Sequence, residues 1–214
     1  MELKGKKINF LGDSITERYC ATRYKNCFVE VLKSECGLAE ARNYGIAGTR
    51  IARQQTPSEM KRYDLDFCSR YAEMDADADV VVVFGGTNDH GHGDAPMGED
   101  SDRTPDTFCG ACHTLFSGLL ERFPSAKIVV LTPLHRSDEN TPKEGSGAVL
   151  EDYVNRIRNI AQQYKLPVLD LFRTSAIRAH IPEIAAKLTT DGLHPNDEGH
   201  AILAAEIAEF LREL

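Results

Sequence analysis

Four short stretches of the chain carry residue types that could break an acyl bond. Ser14 stands in Gly12-Asp13-Ser14-Ile15-Thr16, and Gly48 in Asn43-Tyr44-Gly45-Ile46-Ala47-Gly48-Thr49. Asn88 stands in Gly85-Gly86-Thr87-Asn88-Asp89, and Asp191 with His194 in Asp191-Gly192-Leu193-His194-Pro195-Asn196. A serine hydroxyl becomes a useful nucleophile when an adjacent base, most often an imidazole, takes its proton. A carboxylate three residues before the histidine, with Gly between and Pro after, can curl back onto the ring. There it would hold the tautomer and stabilise the imidazolium. Gly48 can let a ligand approach the backbone and offer its N–H. Asn88 places an amide at the mouth of an apolar strand, where an unpaired polar group is costly. Each stretch alone has a plainer reading: a phosphate cradle or capping serine, a tight turn, an Asn/Asp turn, a solvated loop histidine. Together they supply nucleophile, base, base-orienting carboxylate and oxyanion donors, the set an acyl-transfer site needs.

These residues must be positioned by something rigid. Five short runs read as buried strands: Lys7–Leu11, Ala41–Ile46, Val80–Phe84, Lys127–Leu131 and Pro167–Leu171. Val80–Phe84 is apolar at every position, which predicts helices on both faces, as in a parallel sheet. Between the runs lie helical stripes. Phe108, Cys112, Leu115, Phe116, Leu119, Leu120 and Phe123 recur at three- and four-residue steps, with Thr104 and Pro105 expected to open that helix. Leu150, Tyr153, Val154, Ile157, Ala161 and Tyr164 make a second stripe. Phe28, Val31 and Leu32 make a shorter one closed by Gly37, and the segment around Met60, Phe67 and Tyr71 is expected to be helical. The last helix opens at Asn196, with Ala201, Ala204, Ala205, Ala208 and Leu211 expected inward. The alternation predicts one domain over residues 1–214, an α/β three-layer sandwich with right-handed crossovers. All four chemical stretches then lie at one edge of one sheet, where ligands bind in open α/β folds. Two long polar loops, His90–Arg103 and Leu134–Gly147, follow strands and are expected to wall that edge.

Composition narrows the partners. The 214 residues hold 25 Lys+Arg against 33 Asp+Glu, a formal charge of −8, and no basic run. That speaks against nucleic acid as a partner and against anionic membrane surfaces. No stretch approaches the ~18 apolar residues of a spanning helix, and the N-terminus carries no signal-peptide pattern. A cytoplasmic location is expected, with the six cysteines as thiols, including the Cys109/Cys112 pair inside a helical stripe. Self-association into a homo-oligomer is left open.

With Ser14, Gly48, Asn88 and His194 falling in order on four blocks, the sequence resembles the GDSL esterase/lipase family, also called SGNH hydrolases, from about Ile8 to Leu214. The resemblance implies a flavodoxin-like fold whose five parallel strands are ordered 2-1-3-4-5. It implies Ser14 as nucleophile, His194 as general base then acid, and Asp191 as the residue that orients the ring. The oxyanion hole would combine the backbone N–H groups of Ser14 and Gly48 with the Asn88 side-chain amide. The implied reaction is ester or thioester hydrolysis on a small molecule, without metal or organic cofactor. The polar loops, in which Met97 is the main bulky apolar residue, lean toward a short acyl group such as that of an acetylated carbohydrate.

Two rival readings stand beside it. Asp89-His90-Gly91-His92-Gly93-Asp94 packs two imidazoles and two carboxylates into one loop, which would suit a metal-dependent hydrolase. A flavodoxin-type FMN carrier would also place hydroxyls, here Ser14 and Thr16, after its first strand. However, the chain has no Trp and neither long loop holds a Tyr to sandwich a flavin. Arg50 and Arg53 are expected on a solvated face, His135 and Arg136 as pocket walls, and His113, His180 and His200 as structural or exposed.

Overall fold

A computed structural model describes residues 1–144 and 146–214. Five parallel strands form one sheet in the order β2-β1-β3-β4-β5, with β1 Lys7–Gly12, β2 Glu40–Gly45, β3 Val80–Phe84, β4 Lys127–Leu131 and β5 Val168–Leu169. Along the chain the helices are α1 Ser14–Glu17, α2 Phe28–Cys36, α3 Phe67–Arg70, α4 Thr87–Gly91, α5 Phe108–Arg122, α6 Leu150–Gln163, α7 Leu171–Thr174, α8 Pro182–Leu188 and α9 Asp197–Glu213. This is the three-layer α/β arrangement that the alternation predicts.

Pleating explains the two cores. Successive strand side chains point to opposite faces. Ile8, Phe10, Val80, Val82, Phe84 and Val129 therefore meet α2 and α9, including Phe28, Leu32, Leu203 and Ile207. Leu11, Val81, Val83, Ile128 and Val130 meet α5 and α6 on the other face, including Phe108, Leu115, Leu119, Tyr153 and Ile157. Every residue of β3 is buried because the strand is central and covered twice. Burying a side chain of this size stabilises the fold by roughly 1.5–3 kcal/mol. Asn9 is the polar exception in β1; it is fully buried, and its amide donates to the Asp75 carbonyl at 2.8 Å.

The sheet edges depart from expectation. β2 is partly exposed at every position and ends at Gly45, because it is an edge strand whose Arg42 pairs with Glu40, Asp75 and Asp77. Charges on an edge also discourage pairing with another sheet. β5, the other edge, shrinks to two residues, and Leu171 begins a helix instead.

Two helix details differ as well. Thr107, not Thr104, caps α5 by accepting from the Gly110 N–H at 3.1 Å, while the Pro105 carbonyl is taken by the Arg53 N–H at 2.8 Å. α9 begins after Asn196 as expected, but Leu203 and Ile207 face inward with Ala204, Ala208 and Leu211, while Ala201 and Ala205 are exposed. The larger apolar groups take the buried face because they remove more area from water. The segment around residue 65 breaks into a 3₁₀ turn at Lys61–Asp64, the four-residue α3 and another turn at Tyr71–Glu73. Among the described residues no helix is long and apolar enough to cross a membrane. All six cysteines are free, with Cys109 and Cys112 both buried inside α5.

Candidate active site

Ser14 opens α1 where the chain leaves β1. Asp13 caps this short helix, its carboxylate accepting from the Ile15 N–H at 3.0 Å. The helix lies so close to the end of β2 that a Cβ on Gly45 would sit 2.2 Å from the Glu17 nitrogen, so only glycine permits that approach. Ser14 is 5% exposed, and its Oγ lies 2.9 Å from Nε2 of His194.

The other ring nitrogen of His194 meets Asp191. Nδ1 lies 2.7 Å from Oδ2, while Oδ1 accepts from the backbone N–H groups of Leu193 at 3.0 Å and His194 at 2.8 Å. The carboxylate therefore closes its own loop as well as holding the ring, and Gly192, at φ +80°, makes the curl possible. Burial acts to raise the Asp191 pKa, but the accepted hydrogen bonds outweigh it and the net shift is downward. Asp191 thus stays anionic beside the ring. Tyr19 covers the ring's side, with centroids 4.6 Å apart, after Arg18 and Cys20 adopt left-handed backbone at φ +96° and +67°.

Gly48 and Asn88 arrive from the neighbouring strands. Gly12 pairs with Gly45 on one side and Phe84 on the other, so the ends of β2, β1 and β3 lie side by side. Gly48 follows the end of β2 by three residues at φ +76°, and Asn88 sits in α4 just beyond β3. The Asn88 amide donates to the Thr49 carbonyl at 2.9 Å, tying the two segments together and leaving its second proton available. Among the described residues neither the Ser14 nor the Gly48 N–H has a protein acceptor. Backbone and amide donors of this kind can hold an oxyanion.

A shell of buried charges fixes these ends. Arg70 is 8% exposed and donates to the carbonyls of Gly12 at 2.7 Å, Leu65 at 3.0 Å and Tyr44, and to Thr49 Oγ1 at 3.1 Å. Burial lowers its pKa to about 10. Asp89 accepts from the Ile51 and Ala52 N–H groups at 3.0 and 2.9 Å, locking α4 to the segment after Gly48. Arg136 donates to the Thr87 carbonyl at 3.1 Å. Burial raises the Asp13 pKa to about 7 and the Asp89 pKa to about 6. Sequence reasoning missed Arg70, which lies in no motif, and Tyr19. Asp13 was visible beside Ser14 but had no assigned job, and Asp89, expected as a turn partner of Asn88 or a metal ligand, instead holds the Ile51 and Ala52 N–H groups. Arg50 also corrects its expectation: it is 3% exposed, facing His92 Nδ1 at 3.0 Å and the Tyr63 carbonyl at 2.8 Å, whereas Arg53 is exposed.

The metal-loop residues do not converge. Asp89 is used as above, His90 Nε2 faces the Thr141 carbonyl at 3.0 Å, and His92 faces the Arg50 guanidinium. Asp94 accepts from the Gln55 and Thr56 N–H groups at 2.6 and 2.7 Å. Among the described residues these four make no common ligand group. Nor is Ser14 free for a flavin phosphate, since it is engaged with His194. The two long loops do face each other, around a cavity of about 610 Å³ lined by residues including His90, Asp94, Met97, Thr141, Lys143 and Tyr153. Ser14, Asp191 and His194 are not among the residues that line it, while the Ser137 N–H of the second loop reaches the Gly192 carbonyl beside them at 2.8 Å. His135 is partly buried against Phe172, His180 is exposed, and His113 and His200 are buried.

Comparison with known proteins bears on the family and the fold. The sequence model of the GDSL-like Lipase/Acylhydrolase family matches residues 10–202. A Lactobacillus plantarum protein of solved structure is 31% identical over 98% of each chain, with a TM-score of 0.85. The lipase/acylhydrolase from Enterococcus faecalis shares 23% identity over 97% of this chain and 96% of its own, at a TM-score of 0.64. An acetyl xylan esterase shares 21% over 95% and 98%, at a TM-score of 0.60. These last two likenesses concern the fold. No curated protein matches the sequence significantly.

Proposed function

Because the chain belongs to the GDSL-like lipase/acylhydrolase family and is an ester-bond hydrolase, we propose that it is a serine esterase with Ser14 as nucleophile, acting on short-chain acyl esters of small molecules. The observation that carries this reading is the unbroken hydrogen-bond chain from Ser14 Oγ through His194 to Asp191, at 2.9 and 2.7 Å. His194 Nε2 takes the hydroxyl proton as Oγ attacks the ester carbonyl, and Asp191 stabilises the imidazolium that forms. The carbonyl oxygen, now carrying the negative charge, is held by the N–H groups of Ser14 and Gly48 and the amide of Asn88. One such donor is typically worth ~3–4 kcal/mol of transition-state stabilisation. When the tetrahedral centre collapses, the imidazolium gives its proton to the departing alkoxide, leaving an ester on Ser14. Water, deprotonated by the same nitrogen, then clears the acyl group.

The preference for a short acyl group rests on the surroundings. The long loops enclose a cavity that reaches His90, two residues beyond Asn88, and line it with Asp94, Asp138, Lys143 and Glu144 rather than with a continuous apolar trough. An acetylated carbohydrate suits such polar walls, and the fold accommodates that chemistry, since an acetyl xylan esterase shares it. Ser14→Ala is expected to lower kcat on p-nitrophenyl acetate by at least about 10³-fold; turnover at the wild-type rate would overturn the mechanism. Across p-nitrophenyl esters of increasing length, kcat/KM should be highest for acetyl or propionyl. A steady rise toward decanoyl would overturn the short-chain assignment.

A further inference from the structure

Away from Ser14, two histidines and a glutamate meet where the chain leaves β4. His135 Nδ1 lies 2.7 Å from Glu139 Oε2, and His180 Nδ1 lies 3.8 Å from the same oxygen. The two imidazole centroids are 4.1 Å apart. We propose that His135, Glu139 and His180 bind one first-row divalent transition-metal ion, for which Zn²⁺ is the natural probe.

Three observations support the site. The donor set is two imidazole nitrogens and one carboxylate oxygen, a combination suited to zinc and its neighbours and not to magnesium or calcium. The geometry is nearly assembled. Ligands at ~2.1 Å from a tetrahedral ion lie ~3.4 Å apart, and the two measured separations bracket that value. Lastly, Glu139 is only 8% exposed, yet among the described residues no Lys or Arg pairs with it; the Arg136 guanidinium turns to Asp138 instead. A buried carboxylate without a full countercharge is costly, and a divalent ion would supply one. Phe172 packs on the His135 ring with centroids 4.0 Å apart, limiting its rotation. His180, one-third exposed at its side chain, leaves an entry path.

The site would also brace the esterase loop. Ser137 lies between the ligands His135 and Glu139, and its N–H donates to the Gly192 carbonyl at 2.8 Å, inside the Asp191–His194 curl. An ion holding residues 135–139 to His180 would therefore hold that contact too.

A second potential ligand group, Cys20 with Asp191 and His194, belongs to the candidate active site and must be silenced in the test. Isothermal titration of the Cys20→Ser protein with ZnCl₂ should show one equivalent bound, with a rise in melting temperature. Adding His180→Ala should raise Kd by at least about tenfold, the loss seen when even an outer-shell partner of a metal is removed. Glu139→Gln, nearly isosteric, should do the same and guards against a folding defect in the first variant. No binding by Cys20→Ser, or an affinity that neither substitution moves, would overturn the proposal.

Discussion

At the scale of single residues, the site combines groups whose chemistry is ordinary with environments that are not. Asn88 donates one amide proton to the Thr49 carbonyl, and in the proposed mechanism its other proton holds the oxyanion. Asn88→Ala is therefore expected to lower kcat by ~10²–10³-fold with little change in KM; a loss under about fivefold in steady-state assays would remove Asn88 from the oxyanion hole. Asp13 makes a different kind of prediction. Burial raises its pKa to about 7 from an unfolded value near 3.8. Between roughly pH 4 and pH 7 the folded chain thus holds more of this proton than the unfolded chain does. Its contribution makes stability fall as pH rises through that window, by up to ~1.4 kcal/mol per pH unit. Asp13→Asn keeps the oxygen that accepts from Ile15 but removes the ionisation. Urea midpoints at pH 4.5 and 7.5 should then show the variant gaining on the wild type at the higher pH. An unchanged difference between the two proteins would show that Asp13 does not carry this proton.

At the scale of elements, Arg70 shows how strand ends become a site. From α3 its guanidinium reaches carbonyls at the ends of β1 and β2 and the hydroxyl of Thr49. Arg70→Met fills much of the volume but leaves those buried acceptors unpaired, at ~1–3 kcal/mol each. A loss of at least ~3 kcal/mol is expected in chemical denaturation, together with lower activity; wild-type stability would mean that the carbonyls find other partners. No pattern in the sequence identifies this arginine, because its partners are mostly backbone carbonyls, two of them at distant strand ends, and a lone arginine carries no periodic signal. The strands were legible for the opposite reason: Val80–Phe84 is apolar throughout, which requires cover on both faces. The edges were less legible, since β2 and β5 read as buried runs and only their place in the sheet exposes them. α9 was legible at its Asn196 cap. Its inward face was not, because stripes led by alanine or by Leu203 and Ile207 differ by a small rotation that packing against α2 decides.

At the scale of the whole molecule, the site is a product of topology. The nucleophile candidate and its base are 180 positions apart, yet β1 is flanked by β2 and β3 and α9 packs on α2, so the parallel order delivers all the pieces to one edge. Their types and local spacing could be read in advance. The cavity between the long loops could not, because it depends on how two distant segments meet, with His90, Asp94 and Met97 of one facing Thr141 and Lys143 of the other. Loop trajectories depend on contacts such as the Lys143 ammonium donating to the His90 carbonyl at 3.1 Å, which no local pattern encodes. The proposed mechanism requires a covalent ester to form at one hydroxyl. Acid quenching during p-nitrophenyl acetate turnover, followed by peptide mass mapping, tests this directly. An acetyl group on the peptide containing Ser14, absent from Ser14→Ala, is the predicted result. An acyl group on another residue, or undiminished turnover by Ser14→Ala, would contradict it.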